Sequence, residues 1–581
     1  MELAAGFAPT SRDDWRALAL EVLRRSGAEA ASPEEALSRT TYDGVTVAPL
    51  YDLDDLPGDP GPPGAAPYVR GARAVAGWDV RQRHAVADPE AVLADLENGV
   101  TSLWLVVGDD AIPVGSLGTV LKDVYLDLAP VVLEAGTRAR EAAEALFGLA
   151  EARGTTLSGN LGASGSAGVE LALRCAAAFP GLRAVTVDAT PYHDAGGSDA
   201  EELGCSIARG VAELRALTGG GLPVERALGQ IDFRYAATAD QFATIAKLRA
   251  ARRLWARVAE VCGAPEAGGQ RQHAVTSAAM MTARDPWVNM LRTTLACFAA
   301  GVGGAEAVTV QPFDACLGLP DAFSRRIARN TQSLLLEESG LGRVIDPAGG
   351  SWYVERRTAD LAEAAWAWFQ EIEAAGGIGE AAPLVSARIA ATRARRADDI
   401  AHRRLPITGV SEFPDLAEKP LRRAPAPPGA ARPPAGEGLP EVRYAEPFER
   451  LRDLADGQPE RPKVFLATIG PQTAHTARAA FAANLFQAGG LATETAGPGA
   501  DPERIATAFA ASGAAVACLC SSDKLYDQHA TAVAAALREA GAKKVWLAGR
   551  GRYEGVDDTL YAGCDALAVL RATFDDLGVT R

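Results

Sequence analysis

Apolar runs of β character recur along the first two thirds of the chain, each followed by a stretch of helical character. This alternation constrains the fold more than any other feature. The runs are Trp78–Arg83, Ser102–Val107, Asp123–Leu128, Thr155–Gly159, Ala184–Asp188, Gln230–Tyr235, His273–Ser277 and Ala307–Gln311. About eight such units predict an α/β protein whose parallel strands close into a TIM-type β/α barrel. Asp188, Tyr235 and Gln311 fall at run ends, where a barrel builds its site. Between runs, Phe242–Val261 repeats apolar residues at helical spacing. Its Lys247, Arg249, Arg252, Arg253 and Arg257 read as a solvated basic face.

A boundary falls after the barrel body, which spans 67–404. Residues 422–444 (RRAPAPPGAARPPAGEGLPEVRY) crowd Pro, Ala and Gly without apolar period, as in a semi-extended linker. We place the linker at 405–462. Residues 463–581 again alternate: strand Val464–Thr468, helix Ala477–Gln487, strand Val516–Leu519, helix His529–Ala540, strand Val545–Leu547 and helix Thr573–Leu577, with a further strand expected near Ala566–Leu570. That is a doubly wound, flavodoxin-like sheet, a fold that binds ligands beyond the carboxyl ends of its strands. The loop after its first strand, IGPQTAHTAR, is the place to seek chemistry. A chain of 581 residues holds both cores comfortably.

Composition narrows the function classes. A 48% hydrophobic, 23% charged chain with formal net charge −16 argues against nucleic-acid and anionic-membrane surfaces. The N-terminus lacks a basic cluster followed by an apolar run, and no segment approaches the roughly 20 apolar residues of a membrane helix. A cytoplasmic location is expected. The eight cysteines form no CxxC pair and read as buried reduced thiols, with Cys518 and Cys520 in strand core. No metal site is expected.

Three long motifs carry a resemblance: Ala246-Lys-Leu-Arg-Ala-Ala-Arg-Arg-Leu-Trp255, Phe323-Ser-Arg-Arg-Ile-Ala-Arg-Asn-Thr-Gln332, and Glu338-Ser-Gly-Leu-Gly-Arg-Val-Ile-Asp-Pro347 running into Gly350-Ser-Trp-Tyr-Val-Glu355. They resemble the methylmalonyl-CoA mutase family, whose members carry a substrate barrel followed by a cobalamin domain. The likeness runs from about Trp15 to the C-terminus. Trp15–Leu23, Thr41-Tyr-Asp-Gly-Val-Thr-Val-Ala-Pro-Leu-Tyr51 and Leu519-Cys-Ser-Ser-Asp-Lys-Leu-Tyr526 resemble the small, or beta, subunit of the bacterial heterodimeric enzyme. On this likeness, residues 1–66 are an N-terminal extension contacting the partner subunit.

The resemblance also implies what is missing. Catalytic members ligate cobalt with the His of a D-x-H-x-x-G loop, which needs an imidazole nitrogen, an orienting carboxylate and a glycine that lets the corrin approach. Here those positions hold Gln472, Ala474 and Ala477. His475 lies one residue beyond and reads as a surface-loop histidine, or as an irregular ligand. Ser521 and Ser522 fall where relatives grip the cofactor's nucleotide tail; they read as relics or strand-end caps, or, with Gly549-Arg550-Gly551-Arg552, as part of a nucleotide-like pocket. The loop from Arg70-Gly71 to Gly77-Trp78 lacks the family's Tyr, and the stretch before Leu182 lacks its carboxylate-binding Arg, with Arg174 and Arg183 outside the motif. Tyr192-His193 matches a pair whose His bonds a thioester carbonyl, either as a structural remnant or as a retained polar group. Arg271, His273 and Ser277 keep a pattern found near the acyl-CoA entrance, where they bind a phosphate or simply line a barrel end.

The implied protein is a non-catalytic small subunit. Adenosylcobalamin and acyl-CoA are expected on the catalytic large subunit, and no cofactor on this chain. A subunit of a related acyl-CoA mutase, or a regulatory module binding a nucleotide or corrinoid through its C-terminal domain, are the alternatives.

Overall fold

The computed structural model describes residues 10–428 and 438–579. The middle of the Pro-rich linker and the first nine residues of the extension lie outside the described residues. A short antiparallel pair, β1 (Arg39–Thr40) and β2 (Thr46–Val47), precedes eight parallel strands. These are β3 (Asp79–His84), β4 (Ser102–Val106), β5 (Val131–Glu134), β6 (Gly159–Ala163), β7 (Leu182–Asp188), β8 (Ile231–Ala237), β9 (Arg271–Thr276) and β10 (Ala307–Thr309). They run in sequence order around a closed barrel, with β10 returning to β3.

Two strand positions differ from the sequence reading. Asp123–Leu128 lies in turns, and the third barrel strand is β5, a few residues later. Val124 and Leu126 are buried there while Tyr125 and Leu128 face solvent, an alternation that a turn satisfies as well as a strand. The fourth strand begins where Thr155–Gly159 was expected to end. Its sequence is Gly-Asn-Leu-Gly-Ala, and both glycines let β6 approach β5 closely. A Cβ on Gly159 would sit 2.0 Å from the Val131 carbonyl oxygen, and one on Gly162 2.0 Å from that of Leu133. Glycine conceals such a strand from propensity.

The basic face of helix Gln241–Val261 is a correction of larger consequence. Arg253 and Arg257 are exposed, but Lys247, Arg249 and Arg252 are fully buried. Lys247 Nζ lies 2.7 Å from Glu202 Oε2 and 3.0 Å from Asp199 Oδ1. Arg249 pairs with Asp346 and with Glu355, the latter at 2.5 Å. Arg252 donates to the carbonyls of Tyr68, Val69 and Gly303 and to Gln272. These cations staple the helix to the segments around it, because each buried charge needs a partner.

The C-terminal unit is a five-stranded parallel sheet ordered β12-β11-β13-β14-β15, comprising β11 (Lys463–Thr468), β12 (Ala492–Thr495), β13 (Val516–Cys520), β14 (Lys544–Ala548) and β15 (Asp558–Leu560). In chain order this is 2-1-3-4-5, the flavodoxin-like winding. β12 and β15 are short and partly exposed, which hid them; the strand expected at Ala566–Leu570 is instead part of helix Ala566–Asp576. Cys518 and Cys520 are buried in β13, as expected, whereas Cys262 is exposed.

The segment read as linker is partly structured. Glu446–Asp456 is an 11-residue helix whose Phe448, Leu451 and Ala455 join the C-terminal core, together with Ile400, Ile407 and Val410. Arg284, beyond β9, bridges Asp453 at 2.5 Å and Asp456 at 2.7 Å, so this helix docks the sheet domain against the barrel. Among the described residues, no helix is long and apolar enough to cross a membrane.

Candidate functional site

The barrel axis decides what the carboxyl ends of its strands can do. Side chains alternate in a strand, so inward residues recur at every second position. At mid-depth, Arg234 of β8 reaches across to Trp104 of β4, its Cζ 4.0 Å from the ring centroid, and Arg83 of β3 lies 5.2 Å from the same ring. His273 meets that ring edge-on at 5.2 Å. Arg234 donates to Asp188 Oδ2 at 2.8 Å and lies 3.4 Å from Glu134 Oε2, while His273 Nε2 is 2.8 Å from Thr309 Oγ1. Trp104, Arg234 and His273 are all buried. Seven strands thus meet through side chains across the lumen, which is a filled core and not a passage.

Above this plug lies a cavity of about 700 Å³, lined by Trp104 and Thr309 together with Gln82, His84, Arg325 and Arg443 among others. The linker helps to wall it: Pro425, Ala426 and Val442 line it, and the Val442 amide donates to the Asp194 carbonyl at 2.9 Å. Burial, with Arg325 nearby, pushes His84 down to about 4, so this imidazole is neutral at pH 7.

Tyr192 and His193 sit in the short helix Thr190–Asp194 that follows β7, both buried. His193 Nε2 is 2.7 Å from Ser277 Oγ, so two residues singled out from sequence do meet. Neither lines the cavity. Nδ1 lies 3.9 Å from Glu202, which belongs to the buried Lys247 group. Burial raises the Glu202 carboxyl to about 7 against the opposing pull of Lys247. His193 is therefore held inside a structural charge cluster.

Arg271, His273 and Ser277 do not converge. Arg271 opens β9 at the amino end of the barrel, His273 belongs to the plug, and Ser277 follows the strand at the carboxyl end. Burial lowers Arg271, and the nearby Arg183 and Arg73 add to the effect. The Arg70–Trp78 loop also lies at the amino end: Arg70 pairs with Asp346 at 3.1 Å, and the neighbouring Tyr68 hydroxyl donates to the Glu266 carbonyl. Arg174 is on the outside of helix Gly165–Ala178 beside Glu144, and Arg183 pairs with Asp232.

In the C-terminal domain the ligand crevice of this winding lies between the ends of β11 and β13. Here it is closed. The Ile469 amide donates to the Cys520 carbonyl at 3.0 Å, and Ser521 Oγ donates back to the Ile469 carbonyl at 2.7 Å. Tyr526 fills the ends of β13 and β14: its hydroxyl accepts from the Ser521 amide and lies within 3.0 Å of the Leu519 and Ala548 carbonyls. Arg478 covers it, donating to the Ser521 carbonyl at 2.8 Å. Ser522 precedes helix Asp523–Glu539 at its N-cap without a side-chain capping bond. Arg550 stacks on Tyr561.

The loop that was to carry His475 is already helix, since Gln472–Ala488 begins at Gln472. His475 is not on the surface. It is 8% exposed on the first turn, and among the described residues neither ring nitrogen has a hydrogen-bond partner. Gln472 and Ala477 face solvent and Ala474 is half-buried. A cobalt ligand needs an accessible nitrogen and a second group to orient the ring. A buried imidazole with no such partner, beside a crevice filled by Tyr526, does not fit a corrin.

The sequence reading missed Trp104, Arg234, Glu134 and Tyr526. One signal was available: Arg81 and Arg83 stand two apart in β3, and Arg234 interrupts an apolar strand, which in a barrel points charge at the axis.

The class these features define is a β/α barrel joined to a flavodoxin-like domain, with both ligand positions altered. The methylmalonyl-CoA mutase family model matches residues 160–445. The methylmalonyl-CoA mutase small subunit of Streptomyces virginiae is 58% identical over 100% of this chain and 98% of its own length. That of Propionibacterium freudenreichii subsp. shermanii is 41% identical over 100% and 97%. The methylmalonyl-CoA mutase of Cereibacter sphaeroides is 31% identical over 70% of this chain and 65% of its own length. The chain belongs to the methylmalonyl-CoA mutase family, and its full-length relatives support a small-subunit role within it.

Proposed function

We propose that this chain is the non-catalytic small subunit of adenosylcobalamin-dependent methylmalonyl-CoA mutase, supporting a catalytic large subunit that interconverts methylmalonyl-CoA and succinyl-CoA. The cofactor and the acyl-CoA belong to the large subunit. One observation carries the reading: the barrel axis and the crevice of the sheet domain are occupied by the chain's own side chains, Trp104 and Arg234 below the barrel cavity and Tyr526 at the strand ends of the sheet. What these side chains do is structural. Arg234, balanced by Asp188 and Glu134, ties opposite sides of the barrel together, and Tyr526 locks the strand ends. The result is a rigid barrel suited to pair with a similar barrel, as in a pseudo-symmetric dimer in which one copy has lost its site.

The test is the reconstituted complex carrying His193→Ala and Ser277→Ala in this chain. Turnover of methylmalonyl-CoA within about twofold of wild type supports the proposal, since neither group touches substrate. A loss of about 100-fold, the size of a general acid–base contribution, contradicts it.

A further inference from the structure

The short loop that leads from helix Thr190–Asp194 into helix Asp199–Gly219 is held by three segments from elsewhere in the chain. The return of the linker supplies the Val442 amide, which donates to the Asp194 carbonyl at 2.9 Å. Helix Ala382–Ala401 supplies Arg393, 3.4 Å from the Ala195 carbonyl, and Arg396, which donates to the Gly196 and Gly197 carbonyls. The turn between β1 and β2 supplies Asp43, whose Oδ1 accepts from the Ala200 amide at 2.9 Å, in the first turn of the helix. Loop carbonyls and helix-end amides have no partner of their own, so these contacts are what fixes the junction.

One side chain ties two of the three segments together. Arg396 is buried, and its Cζ lies 4.6 Å from the ring centroid of Tyr42 in the hairpin turn and 5.2 Å from that of Tyr444 in the linker return. The Tyr42 hydroxyl donates to Asp399 Oδ2 at 2.7 Å, and its carbonyl accepts from Arg395 at 2.8 Å. Tyr444 stands two residues before helix Glu446–Asp456, which docks the sheet domain through Arg284. Other parts of the extension are held lightly. β1 and β2 have two residues each, and helix Arg12–Arg25 has no buried residue. Segments with few buried contacts are the first to open.

We infer that residues 41–44 are a clip: seated, they hold the linker return, and with it the sheet domain, on the barrel, and displacing them loosens both. Arg396 carries the coupling. Without Tyr42 its buried guanidinium loses one aromatic face, and Asp399 beside it loses a hydroxyl donor, so the contact to Tyr444 is fixed less firmly.

The experiment follows backbone hydrogen exchange along the full chain. Tyr42→Leu keeps apolar bulk while removing the ring and the hydroxyl. It is predicted to speed exchange about tenfold in residues 442–456, far along the chain from the substitution, as well as in residues 39–47. Tyr51→Leu is the control, since it breaks a ring contact of the same extension, with Tyr353 at 5.1 Å, that does not involve Arg396. It should leave residues 442–456 within about twofold of wild type. Tyr444→Leu should speed their exchange by a similar factor to Tyr42→Leu, and the double substitution by about tenfold, not the roughly 100-fold product expected of independent sites. A rise for Tyr42→Leu confined to residues 39–47 overturns the inference and makes the turn a local cover. A comparable rise in residues 442–456 for Tyr51→Leu overturns it as well, because the effect is then a general loss of stability. Where Tyr42→Leu does not fold, Tyr42→Phe removes only the bond to Asp399; a rise of about fivefold in residues 442–456 supports the clip, and one below about twofold overturns it.

Discussion

Arg234 stacks on Trp104 across the barrel axis, joining β8 to β4 at 4.0 Å. A guanidinium over an indole, buried and held by two carboxylates, is a strong contact that also occupies space. Removing the ring leaves a void that surrounding strands fill poorly. Trp104→Ala is expected to lower unfolding free energy by about 3–5 kcal/mol in chemical denaturation. Turnover of the complex at a temperature where the variant stays folded should be unchanged. A change below about 1 kcal/mol would mean the axis is not packed as described.

Lys247, fully buried between Glu202 and Asp199, separates the structure from the sequence reading most sharply. Lys247→Ala leaves the buried Glu202 and the partly exposed Asp199 without their ammonium and is expected to cost about 3–5 kcal/mol. A lysine on a solvated face costs within about 0.5 kcal/mol, so one denaturation curve decides between the two.

That contrast explains how much of the molecule was legible. Barrel and sheet were readable because β7, β8, β9, β11 and β13 are apolar runs followed by helices of plain period. The identity of each face was not. A period-3.6 pattern says that Lys247, Arg249 and Arg252 share a stripe, but burial of the stripe depends on Glu202, Asp346 and Glu355, which arrive from distant segments. His475 shows the same limit. The missing partners around it were legible, whereas its burial depends on where helix Gln472–Ala488 begins. The Trp104–Arg234 contact pairs residues 130 apart along the chain.

The buried carboxyls predict a pH dependence. Asp43, from the N-terminal extension, accepts from the Ala200 amide at 2.9 Å, and burial with Asp199 nearby raises its carboxyl from 3.8 to about 6. A group raised on folding contributes stability below its unfolded value and loses it as pH rises through the folded one. Asp43 therefore contributes most below about pH 4 and loses that contribution as pH rises through about 6, on the order of 3 kcal/mol. The stability difference between wild type and Asp43→Asn, followed from pH 4 to 7, should fall in that direction. A flat difference contradicts it.

Among the described residues His475 has no partner for either ring nitrogen, and burial pushes its pKa down. An unsatisfied buried polar ring adds little to stability, so His475→Ala should change it by less than about 1 kcal/mol, or raise it. Turnover of the complex should be unaffected. Loss of activity on this substitution would give the imidazole a role in the reaction.

The central claim is that this chain carries neither cofactor nor turnover. The direct measurement purifies it apart from the large subunit, titrates adenosylcobalamin calorimetrically, and assays methylmalonyl-CoA rearrangement on the same preparation. The account predicts no tight cofactor binding and no turnover, with both appearing once a large subunit is added. Tight binding with an imidazole coordinated to cobalt, or succinyl-CoA formation by this chain alone, would contradict it.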